Sequence, residues 1–122
     1  DVDGDGDTDL ISASLSDKTI SWYENDGNSN PSFTARVITD DADWAASVYA
    51  ADVDGDSDID ILSASEEDNK IIWYENDGNE NPGFTSHTIT TNAEGAKLEY
   101  EYKIYFSQYN HQCLHYLKRF CC

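Results

Sequence analysis

Basic residues are scarce in this chain. Seven Lys and Arg face 25 Asp and Glu across 122 residues, a formal net charge of −18. So acidic a surface repels a phosphate backbone, which excludes nucleic acid as a partner and favours cations. No run of 18 or more apolar residues occurs, which excludes a membrane-spanning helix. No basic segment followed by an apolar stretch opens the sequence, so no signal peptide is expected in it. Cysteine is absent until Cys113; with Cys121 and Cys122 the count is odd, leaving at least one thiol free or paired between chains. A G-x-S-x-G nucleophile turn and a phosphate-binding Gly loop are both missing, and the sequence offers catalysis little footing. No glycosylation sequon occurs either, because Pro31 stands inside Asn30-Pro31-Ser32. The length bounds the chain to about one domain. Eight Tyr, four Phe and three Trp argue against disorder.

The charge is unevenly placed. Residues 1–95 hold 23 acids against Lys18, Arg36 and Lys70, a net −20, whereas residues 96–122 hold Lys97, Lys103, Lys118 and Arg119 against Glu99 and Glu101, a net +2. A shift this sharp marks a boundary near Gly95.

An internal repeat organises what precedes that boundary. Asp1-Val-Asp-Gly-Asp-Gly-Asp-Thr-Asp9 returns as Asp52-Val-Asp-Gly-Asp-Ser-Asp-Ile-Asp60, and Trp22-Tyr-Glu-Asn-Asp-Gly-Asn28 returns as Trp73-Tyr-Glu-Asn-Asp-Gly-Asn79. The offset is 51 throughout, and residues 1–40 share 25 identities with 52–91. A fixed period of this length signals stacked supersecondary units. Each unit reads as short strands: Leu10–Ser14 and its counterpart Ile61–Ser65, then Lys70–Tyr74, then Phe84–Thr90, with Ser47–Ala51 ahead of the second acidic segment. Asn-Asp-Gly-Asn supplies the turn after the aromatic strand. The expected fold is all-β, built of tandem four-stranded antiparallel units like propeller blades. Unit 1 covers 1–40 and lacks its first strand, unit 2 covers 41–91, and a divergent segment covers 92–122 with a strand over 98–106.

The acidic segments call for a metal. A loop that curls about a point brings its first, third and fifth side chains inward, and the ninth returns to the same centre as the next strand begins. Glycines permit the positive φ such a curl needs. The result is an all-oxygen cage suited to Ca²⁺, with no His or Cys to favour zinc or copper. A merely solvated turn would leave five carboxylates crowded into nine residues, twice. Like charges ~4 Å apart repel by ~1 kcal/mol in water and ~4 kcal/mol at an effective dielectric of 20. An EF-hand is excluded, since loop position 12 is Ser12 and Ser63 rather than Glu and the flanks are strands.

The pattern D-x-D-x-D-G-x-x-D between strands, together with Trp-Tyr-Glu-Asn-Asp-Gly, resembles the FG-GAP/VCBS repeat of integrin α-chain propellers and many secreted bacterial proteins. The resemblance spans residues 1–91. It implies calcium held by the side chains of Asp1, Asp3, Asp5 and Asp9 and the Asp7 carbonyl, and in the second loop by Asp52, Asp54, Asp56 and Asp60 and the Asp58 carbonyl. It further implies a secreted or cell-surface module of structural or adhesive role, with a protein or glycan ligand as a further partner. One position departs from the pattern: the sixth is Gly6 in the first loop but Ser57 in the second. If that position is left-handed, Ser57 costs ~1–2 kcal/mol and strains the second site.

Four blades of 51 residues exceed this chain. Two readings stay open: a segment of a larger secreted propeller protein, such as an adhesin or a polysaccharide-degrading enzyme, or head-to-tail self-association in which the 98–106 strand completes unit 1 of a second copy, giving a ring or filament. Trp22, Trp73, Tyr23 and Tyr74 are expected to pack between neighbouring units rather than form a sugar platform. Trp44 has no counterpart, since position 95 is Gly. His111 and His115, four apart, lack the companions of a zinc site.

Overall fold

A computed structural model describes residues 1–95 and the backbones of Lys97–Glu99 and Lys103–Tyr105. The described residues form strands and no helix, hence none long and apolar enough to cross a membrane. In unit 1, β1 (Leu10–Ser14), β2 (Thr19–Asn25) and β3 (Phe33–Thr39) make an antiparallel sheet in chain order. In unit 2, β4 (Ala45–Ala51), β5 (Asp60–Ser65), β6 (Ile71–Asn76) and β7 (Phe84–Thr90) make a second. Neither sheet closes on itself, so the chain has the expected all-β, incomplete propeller-like architecture. The segment read as one strand over 98–106 instead contains two short ones, β8 (Lys97–Glu99) and β9 (Lys103–Tyr105), paired antiparallel. Its alternation fits a hairpin as well as a single strand, because period two is common to both. The rest of the tail, including Cys113, Cys121, Cys122, His111 and His115, lies outside the described residues.

The hairpins between the last two strands of each unit are closed by one aspartate. Asp26 accepts the N–H groups of Asn28 at 3.2 Å and Ser32 at 3.1 Å and also the Ser32 hydroxyl, while its own N–H reaches the Ser32 carbonyl at 3.1 Å. Asp77 repeats this on Asn79 at 3.3 Å and Gly83 at 3.0 Å. These hydrogen bonds favour the charged carboxylate and hold both acids below the usual carboxylate range, the Ser32 hydroxyl contributing most at Asp26 and the Gly83 N–H at Asp77. Each sheet also carries a one-residue bulge in its last strand, at Ile38 and at Ile89, where the register slips.

The units share a core. Ile20, Ala42, Ala45, Ile61 and Tyr74 are buried together, with Ile11, Ala13 and Ile38 of unit 1 and Val48, Ala50, Ile72 and Phe84 of unit 2 packed around them. Strand alternation explains the arrangement. The face of β2 that carries Ile20 and Trp22 looks toward unit 2, and the face of β6 that carries Ile72 and Tyr74 looks back. Trp22 is accordingly buried, as the sequence led us to expect, whereas Trp73 on the opposite face of its unit is half-buried. The equivalent bulge residues differ for the same reason: Ile38 packs against the shared core, while Ile89 is 55% exposed. Arg36 crosses the interface, pairing with Glu24 at 2.5 Å, lying 5.7 Å above Trp22 and donating to the Asn81 side chain of unit 2 at 3.1 Å. His87 holds the same position over Trp73, 4.7 Å between rings, and reaches Glu75 at 2.6 Å.

Candidate metal centre

Residues 52–60 link β4 to β5, and residues 1–9 lead into β1. Each loop winds by side-chain-to-backbone hydrogen bonds, the local bonding that makes aspartate a turn residue. In the first loop Asp3 Oδ1 accepts the Asp5 N–H at 3.3 Å, Asp5 Oδ1 the Asp7 N–H at 2.8 Å and Asp1 Oδ1 the Gly6 N–H at 3.2 Å. In the second, Asp54 accepts from Asp56 at 3.2 Å, Asp56 from Asp58 at 2.9 Å, and Asp52 from Ser57 at 3.1 Å. The two loops are near copies, as the repeat requires.

The ninth residue anchors each loop to its sheet. The Asp9 side chain is 1% exposed, and Asp60 is fully buried. A carboxylate removed from water needs partners. Asp9 accepts the Val2 N–H at 2.6 Å and the Asn25 N–H at 2.9 Å, and Asp60 accepts the Val53 N–H at 3.0 Å and the Asn76 N–H at 2.8 Å. The end of the aromatic strand is thereby tied to the acidic loop.

Carboxylate oxygens converge in both loops. One oxygen each from Asp1, Asp3 and Asp5 lies within 4.8 Å of the others, and so do oxygens from Asp52, Asp54 and Asp60. The first and third positions are common to the two sets, the fifth joins one and the ninth the other. The seventh belongs to neither: the Asp7 and Asp58 carboxylates stand against the Gly27 and Gly78 turns, where a Cβ would overlap them. Partial burial, followed by repulsion from Asp5 and Asp9, pushes the Asp3 carboxyl up, and the corresponding influences from its surroundings and from Asp56 and Asp60 raise Asp54. Crowded acids that resist ionisation gain most from a neutralising cation. The donor set is all oxygen, which fits a hard divalent ion, and the side chains whose oxygens converge are Asp1, Asp3 and Asp5 in the first loop and Asp52, Asp54 and Asp60 in the second.

Ser57 has φ +84°, beside +96° at Gly6. The second loop therefore keeps the left-handed turn of the first despite its side chain, and Ser57 bears the backbone cost. A Cβ at Gly6 would meet nothing within 4 Å, so the cost is one of conformation rather than crowding.

Sequence reasoning passed over Asn25 and Asn76, reading them only as parts of a turn signal. Their N–H groups bind the anchoring carboxylates, and their side chains donate to loop carbonyls: Asn25 to Thr8 at 2.9 Å, Asn76 to Ile59 at 3.0 Å. Their recurrence next to the repeated aromatics was the available signal.

A family model of the FG-GAP-like repeat matches residues 1–63, about half of the chain. No curated protein and no solved structure matches the chain. The duplicated loops, the antiparallel units and this match together place the chain in the FG-GAP-like repeat family.

Proposed function

We propose that each acidic loop holds one Ca²⁺ ion and that the chain is a non-catalytic, calcium-stabilised β-repeat module with a structural or adhesive role. The observation that carries this is the convergence of three carboxylate oxygens in each of two loops that are near copies of one another. FG-GAP-like repeats are typically found in extracellular or surface proteins, and extracellular calcium modules bind at ~10⁻⁴–10⁻³ M. Calcium in such a compartment would occupy both loops and add its binding free energy to folding. Isothermal titration of chelator-treated protein tests this. Two calcium equivalents per chain are expected, falling to one on Asp54→Asn, and heats no larger than those of dilution would retire the proposal.

A second reading concerns assembly. Among the described residues β5 is paired on both sides, by β4 and β6, whereas its counterpart β1 is the edge strand of its sheet. The free side of β1 accepts a strand either from a neighbouring repeat of a longer chain or from a second copy. Light scattering in calcium separates the two: a strictly monomeric chain removes the second copy from consideration.

A further inference from the structure

The two acidic loops are joined through one side chain. Asn76, 2% exposed at the end of β6, donates through Nδ2 to the Ile59 carbonyl of its own loop at 3.0 Å and to the Val2 carbonyl of the preceding unit's loop at 2.7 Å. Val2 stands between Asp1 and Asp3, is itself buried, and donates its N–H to Asp9 at 2.6 Å. The Asn76 N–H in turn binds Asp60 at 2.8 Å. Val2 and Asn76 thus tie the anchoring carboxylate of loop 1 to that of loop 2, Val2 through its N–H and its carbonyl and Asn76 through its side chain and its own N–H. Losing the Asn76 side-chain bond would leave the buried Val2 carbonyl without that donor. Asn25, the equivalent residue of unit 1, makes the own-loop bond to Thr8.

We propose that Asn76 is a positioning residue that transmits order between the loops, so that a cation held in one raises the affinity of the other. Fixing the Asp1–Asp3 stretch of loop 1 fixes the Val2 carbonyl, which fixes Asn76 and with it Asp60. The coupling of affinities rests on the calcium proposal above; the mechanical tie does not.

The test is a thermodynamic cycle read by calcium titration. Asp3→Asn cripples loop 1, and the calcium affinity of loop 2 is then measured with Asn76 intact and with Asn76→Ser, in which the shorter side chain keeps a turn bond to the Gly78 N–H but loses its reach to Val2 and to Ile59, the latter loss being common to both arms of the N76S comparison. With Asn76 intact, Asp3→Asn should weaken loop 2 by about five-fold or more; in the N76S background it should have no effect. An equal loss in both backgrounds overturns the proposal. So does no loss with Asn76 intact, a comparison that requires no change at position 76 and therefore survives a failure of N76S to fold. Amide exchange in metal-free protein provides an arm independent of calcium. N76S should speed exchange at Val2 by about five-fold relative to β7 amides, and an unchanged rate overturns the tie. If the native chain takes up no calcium at all, the calcium reading falls and this exchange rate alone decides whether the tie exists.

Discussion

At the scale of single residues, the clearest tension lies at Ser57, held at φ +84° where its counterpart is glycine. Replacing it removes a left-handed cost of ~1–2 kcal/mol, partly offset by the greater freedom of glycine in the unfolded chain. Ser57→Gly should therefore raise the unfolding free energy of chelated protein by about 1 kcal/mol and tighten calcium at the second loop; equal or weaker binding in a titration would count against strain there. Asp26 behaves differently because its partners favour the charged form. Its carboxyl is depressed from 3.8 by the Ser32 hydroxyl first and the Asn28 and Ser32 N–H groups next. A depressed acid contributes stability that is present above its unfolded value and lost as pH falls through its folded value. Asp26→Asn should thus lower the melting temperature at pH 6, and the gap from wild type should narrow as the pH drops below about 4. A gap constant with pH would show that the charge does not matter. The sequence made the clustered aspartates legible because they stand at alternate positions and recur with the repeat. It did not reveal that Asp9 and Asp60 anchor to Asn25 and Asn76, because that requires the strand end to return to the loop, a contact across 16 residues.

At the scale of elements, the strands follow from β-branched and aromatic runs bounded by Asn-Asp-Gly turns, and most of their limits were readable. The bulges at Ile38 and Ile89 were not, because a one-residue slip in pairing leaves composition unchanged. The same blindness turned two short paired strands into one expected strand over 98–106. Gly78 lies in the β6–β7 turn with φ +68°, and the Asp58 carboxylate occupies the space a Cβ there would need. Gly78→Ala should cost about 1–2 kcal/mol through its backbone alone and also displace Asp58, weakening the second loop more than the first. Calcium titration of the variant checks this, and equal weakening of both loops would contradict it.

At the scale of the molecule, two units share one core, so they should unfold together. Ile61 is fully buried at their junction, and Ile61→Ala should cost about 2–5 kcal/mol, lowering a single melting transition rather than splitting it; two resolved transitions in calorimetry would refute the shared core. Charge acts at this scale too. With a formal net charge of −18, removing calcium should lower the melting temperature and added monovalent salt should recover part of the loss by screening the carboxylates. At ten to a hundred times the dissociation constant, each occupied loop contributes about 1–3 kcal/mol. Identical melting with and without chelator would contradict calcium stabilisation.

The sequence alone determined the repeat, the all-β class and the identity of the clustered carboxylates, since periodicity, strand propensity and charge crowding are local properties that survive without coordinates. Only the tertiary structure decided which faces of the units meet, why Trp22 is covered while Trp73 is less so, and that Asn76 spans 74 residues to the Val2 carbonyl. Those outcomes depend on how one sheet stacks on the next, and stacking is fixed by the relative placement of two whole units rather than by any segment of chain.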